Sequence, residues 1–146
     1  MGKRRRAREL TLQFLYQYEI LKESSPEDVN FSEVFDLFWN TRGIPSDDEA
    51  RRFATVLITG TCENMEGIDN IISRYSKHWK LSRMSKIDRN ILRMATYEMV
   101  YLRNIPPAVT INEAVELAKK YGTEESGAFV NGILDRIRIA LEKGEI

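Results

Sequence analysis

Apolar side chains recur at i, i+3, i+4 and i+7 along most of the chain, the spacing that gathers them on one side of an α-helix. Seven segments show it, at about residues 4–22, 31–42, 47–65, 67–78, 86–103, 111–121 and 126–142. Four of them are preceded by a small polar residue with an acid three positions on: Asn30 with Glu33, Ser46 with Glu49, Ser85 with Asp88, and Thr110 with Glu113. Such pairs satisfy the orphan amides of a first helical turn. The run Thr55 to Thr59 is rich in β-branched residues, but Ala50, Phe53, Ala54 and Leu57 hold the helical period on both sides. Pro45 and the pair Pro106 and Pro107 mark joints, and Gly122 fits the left-handed residue that ends a helix. The pattern predicts an all-α bundle with no internal repeat and no long linker.

The wheel also assigns faces. In the first helix Ala7, Leu10, Phe14, Tyr18 and Leu21 point inward, and Arg5, Glu9, Gln13 and Tyr16 point away. In the fourth, Ile68, Ile71, Ile72 and Tyr75 form a core stripe that Trp79 continues, so this ring is expected to pack. In the fifth, Glu98 follows Ile87, Ile91, Met94 and Ala95 on the apolar face. A carboxylate there requires a hydrogen-bonding partner, and it reads as a structural pin because no companion acid or metal ligand stands near it. The last helix buries Val130, Ile133, Leu134, Ile137 and Leu141. Phe129 lies at the edge of that stripe, where geometry favours sealing the core over meeting a ligand. Gly132 faces away, which suggests close approach by a neighbour or a partner.

Charge changes the picture. The formal net charge is zero, yet Lys3, Arg4, Arg5, Arg6 and Arg8 crowd the N-terminus. Residues 23–49 hold Glu23, Glu27, Asp28, Glu33, Asp36, Asp47, Asp48 and Glu49 against Arg42 alone. Residues 74–93 hold Arg74, Lys77, Lys80, Arg83, Lys86, Arg89 and Arg93 against Asp88 alone. Two basic zones suited to a polyanion thus flank an acidic one that should avoid it. The stretch Arg74 to Arg83 interleaves bases with Tyr75, His78 and Trp79, a composition that suits backbone tracking and base stacking. No apolar run approaches the ~20 residues that span a bilayer, and no signal-peptide pattern follows the arginines, so a cytoplasmic location is expected. Cys62 and His78 are too few for a disulfide or a zinc cluster, and no metal or cofactor is expected.

For the first basic zone the plain alternative is a solvated helix end. Gln13 and Tyr16 on the outward face of the same helix tell against it, because together with Arg5 they offer a fork for phosphate, an amide that donates and accepts, and a ring for a base.

The blocks R-R-R-A-R-E, L-Q-F-L-Y-Q, D-R-N-I-L-R-M-A-T-Y-E, P-A-V-T-I-N-E-A-V-E-L-A-K-K-Y-G and F-V-N-G-I-L-D, in that order, resemble the NusB family over nearly the whole chain. The resemblance is strongest over residues 3–18 and 81–137 and weakest from Ser24 to Ser46. It implies one domain over residues 1–146, built as seven helices in two small packed bundles that divide near residue 80, about 1–80 and 81–146. It also implies no enzymatic activity. Proteins similar to this one pair with ribosomal protein NusE and recognise single-stranded boxA RNA in nascent transcripts, especially ribosomal RNA leaders, so that RNA polymerase passes terminators. The antitermination complex on the polymerase is then an indirect partner. Residue by residue, the resemblance carries RNA contact onto Arg4, Arg5, Arg6, Arg8, Gln13, Tyr16 and Phe129, which it places at the RNA surface adjoining the first helix. It carries the NusE-facing part onto Glu124 and Glu125, although the family often has Asp at the second. Homodimers that cover the RNA surface occur among proteins resembling this chain, so a homodimer stands among its expected partners. A second function remains open, a stand-alone NusB-like RNA-docking module in ribosomal RNA processing or modification. The same bundle occurs fused to RNA cytosine methyltransferases, but no catalytic domain is expected here because the chain ends at Ile146. A nuclease would rest only on unplaced acids.

Overall fold

The computed structural model describes residues 2–146. Among these, the ordered elements are helical: α1 (Lys3–Ser24), α2 (Phe31–Arg42), α3 (Glu49–Glu63), α4 (Met65–Tyr75), a 3-10 turn (Leu81–Arg83), α5 (Lys86–Thr96) widening into a π turn (Tyr97–Leu102), α6 (Pro107–Tyr121) and α7 (Ser126–Glu142). The all-α reading holds, and the segment Thr55 to Thr59 lies inside α3. Two compact units divide the chain, residues 1–58 and 59–146. The division therefore falls within α3 and not near residue 80. The reason is that α4 packs on α5 and α7, so its apolar face belongs with the later helices.

The core of the first unit is aromatic. Phe14 is fully buried, stacks on Tyr18 at 5.4 Å and meets Phe31, Phe35 and Phe38 edge-on at 5.4–6.0 Å. Rings at these separations add about 0.5–1.5 kcal/mol per pair beyond their burial. Asn30 caps α2 as expected, its side chain accepting from the Glu33 amide at 3.1 Å, and Gly43 ends the helix at φ 64°. The cap of α3 is Asp48 and not Ser46: its carboxylate accepts from the Arg51 amide at 3.0 Å. A carboxylate suits that position better than a hydroxyl because the helix dipole favours negative charge there.

In the second unit α5 is the central element, with every residue from Arg89 to Thr96 buried. It is shielded all round although it carries Arg89, Asn90, Arg93 and Thr96, and the first three have hydrogen-bond partners. Arg89 donates to the carbonyls of Leu81 and Met84 at 2.9 and 3.0 Å. Arg93 forks onto Asp69 of α4 at 2.8 and 3.0 Å and reaches Asn90 at 3.1 Å. Ser85 caps α5 through the Asp88 amide.

Two joints differ from expectation. α6 begins at Pro107, with its first-turn proline in place of the Thr110 and Glu113 box. Proline lacks only an amide hydrogen that a first turn leaves unbonded anyway. Thr110 is thereby free for another task, and its hydroxyl donates to the carboxylate of buried Glu98 at 3.0 Å. Gly122 is extended, at φ −97° and ψ −156°, and not left-handed. What demands glycine there is crowding: an added Cβ would lie 2.6 Å from the Ser126 Cβ and 2.8 Å from the Ala118 carbonyl oxygen. Gly132 meets no neighbouring element, since the nearest atom to an added Cβ is the Arg136 guanidinium of its own helix at 3.9 Å.

Candidate nucleic-acid interface

α1 begins with a run of cations at the positive end of its dipole, and its first turn contains no acid. Mutual repulsion and the dipole both oppose that placement, by about 0.3–1 kcal/mol per charge. Helix stability therefore does not account for the cluster.

Arg4 and Arg6 are exposed and Arg5 is half-buried. The Arg4 guanidinium lies over the Phe53 ring at 4.3 Å. Around it opens a depression of about 390 Å³ lined by Lys3, Arg4, Glu49, Arg52, Phe53 and Val56. Lys3 pairs with Glu49 at 3.2 Å across exposed side chains, an ion pair that holds little energy in water. Arg8 departs from the expected set: it is only 3% exposed and turns toward the Phe53 ring at 5.5 Å. It lies on a line with Leu12 and Leu15, both buried, so α1 covers a broader core face than the Phe14 stripe alone. Arg8 cannot present its fork to a phosphate from that position.

Further along α1, Gln13 and Tyr16 are exposed, Tyr16 by 38%. The Gln13 amide oxygen accepts from Arg42 of α2 at 3.4 Å. Arg42 also stacks on the Phe38 ring at 3.6 Å and donates to the Phe38 carbonyl at 3.1 Å. Partial burial lowers its pKa from the ordinary arginine value. Arg42 was missed from sequence because it stands 29 residues from Gln13 inside an acidic stretch. From Arg6 to Tyr16 the outward groups extend over about 15 Å of helix.

In the second unit Phe129 is half-buried and meets Trp79 edge-on, with ring centroids 5.5 Å apart. Trp79 is the larger departure, because it is 55% exposed where packing was expected. α4 stops at Tyr75, and Lys77 at φ 56° turns the chain, so the helical phase that linked Trp79 to the core stripe is lost. Arg74, Lys77, His78, Lys80 and Arg83 are exposed around it. Arg89 and Arg93 leave the second basic zone for the interior. Glu124 and Glu125 are exposed just before α7, where carboxylates also suit the helix dipole. Among the described residues no cluster of three or more His, Cys, Asp or Glu side chains is arranged to hold a metal ion, and no helix is long and apolar enough to cross a membrane.

The NusB family model matches residues 5–138. The transcription antitermination protein NusB of Thermodesulfovibrio yellowstonii is 49% identical over 92% of this chain and 91% of its own length. That of Myxococcus xanthus is 44% identical over 98% of this chain and 99% of its own. Among solved structures, Thermotoga maritima NusB superposes with a TM-score of 0.81 at 41% identity, covering 100% of this chain and 99% of that one. The antitermination factor NusB crystallised with NusE and double-stranded RNA superposes with a TM-score of 0.80 at 31% identity, covering 96% and 98%. A match of this extent, in sequence and in fold, places the chain in the NusB family.

Proposed function

We propose that the protein is an RNA-binding adapter of transcription antitermination, which together with ribosomal protein NusE engages boxA-type RNA in nascent ribosomal transcripts. The observation that carries the reading is the outward face of α1. Arg4, Arg5 and Arg6 supply positive charge at one end, and Gln13 and Tyr16 supply an amide and a ring beyond it. Family membership supports it, since a relative of known structure has been crystallised with NusE and RNA. In this reading the arginines anchor phosphates and carry the salt dependence. Tyr16, Gln13 and Phe129 contact bases by stacking and hydrogen bonding. Glu124 and Glu125 face NusE. The work is binding and positioning, with no bond made or broken.

The test is a titration of labelled single-stranded boxA-type RNA against the chain and against its Arg5→Ala, Arg6→Ala, Tyr16→Ala triple variant. The expected result is a loss of affinity of at least tenfold in the variant with an unchanged melting curve. Equal affinity in the two proteins would remove α1 from the site.

A further inference from the structure

Trp79 is a large ring left in solvent within a chain that buries its other tryptophan, Trp39, almost completely. Its neighbours along the chain are mostly cationic. Exposed Arg74, Lys77, His78, Lys80 and Arg83 accompany it, and no acid occurs between Arg74 and Asp88. A docking surface for a folded protein places aliphatic neighbours around such a ring, whereas interleaved bases and aromatics fit a strand of phosphates and unpaired bases.

The loop that carries the ring is also held in place. The Ser76 hydroxyl donates to the Trp79 carbonyl at 2.7 Å, and the Trp79 amide donates back to the Ser76 carbonyl at 3.2 Å. Arg136 of α7 donates to the Tyr75 carbonyl at 2.7 Å. Arg89 grips the carbonyls of Leu81 and Met84. Lys77 adopts a left-handed conformation that non-glycine residues seldom take, which sends the chain outward just before the ring. On its inner side Trp79 rests against Phe129.

We propose that Trp79 is a second stacking face for single-stranded RNA, continuous with Phe129 and flanked by the phosphate-binding cations Lys77 and Lys80. This rests on the RNA-binding reading above and extends it to a residue and a loop outside the set that reading uses. A base that stacks on Trp79 quenches its emission, and buried Trp39 contributes a constant background.

The experiment uses the full chain, with a labelled single-stranded boxA-type oligonucleotide as probe, followed by anisotropy and by tryptophan emission. RNA should quench emission in the wild-type chain and not in Trp79→Phe. Trp79→Ala should weaken binding by about tenfold, with Trp79→Phe recovering most of it, since base stacking on aromatics has that order of effect. Lys77→Ala with Lys80→Ala should reduce the salt slope by about 1.4. The quenching is read on the wild-type chain, so it stands even where a variant fails to fold. Absent quenching and an unchanged Kd in Trp79→Ala, alongside weakened binding by the Arg5, Arg6 and Tyr16 triple variant, would overturn the stacking face and leave the RNA-binding reading intact. Unchanged Kd in both variants would overturn both. Loss of NusE affinity in Trp79→Ala with RNA affinity and emission unaffected would make the ring a protein contact and overturn the proposal.

Discussion

Arg6 and Arg8 stand two positions apart on one helix and do different things. Arg6 is exposed beside the other N-terminal cations, whereas Arg8 lies inside, against Phe53. Arg6→Ala should therefore weaken RNA binding and lower the salt slope by about 0.7 without moving the melting temperature. Arg8→Ala should instead cost about 1–2 kcal/mol of stability, measured by urea unfolding, through lost cation–π contact and lost packing of its stem. The sequence contained the signal for Arg8, which shares its line with Leu12 and Leu15, but a wheel centred on Phe14 hides it. Glu98 shows the opposite case. Its position on an apolar face called for a partner, and Thr110 provides one. Thr110→Val should destabilise the fold by about 1–3 kcal/mol by withdrawing a donor from a buried carboxylate.

At the scale of the element, caps and periodicity carried most of the information. At Asn30 and Ser85 the side chain accepts from the amide three residues on, so both caps are formed, and Ser85→Ala should cost about 1 kcal/mol in the same unfolding measurement. The failures occur where another residue serves the helix end better: Asp48 precedes α3, and Pro107 opens α6 before Thr110 is reached. Trp79 was misplaced for a related reason. Periodicity extrapolates a helix in a straight line, and nothing in the composition marks Lys77 as the residue that breaks it. Gly132 offers a direct check on α7, because an added Cβ meets only open space and its own helix. Gly132→Ala should raise stability by about 0.5–1 kcal/mol. A fall in stability would mean that a neighbouring element approaches there after all.

For the molecule as a whole, the all-α class and the seven helices were legible because a 3.6-residue repeat survives any arrangement of the helices. The division of the chain was not, since α4 carries a core stripe that matches several partners equally well on paper and the structure gives it to α5 and α7. The cationic helix was legible as a charge cluster, while the exposure of Gln13 and Tyr16 had to be inferred from angle and is present in the fold. Phe129 came from resemblance alone, and Arg42 came from neither source. The proposed role of these groups, in an antitermination adapter that reads RNA together with NusE, is tested most directly by titrating boxA-type RNA with and without NusE at two salt concentrations. The expected result is tighter binding with NusE and a marked loss of affinity at the higher salt. Affinity indifferent to NusE would contradict it and favour a stand-alone RNA-docking module, and affinity indifferent to salt would remove the arginine cluster from the site.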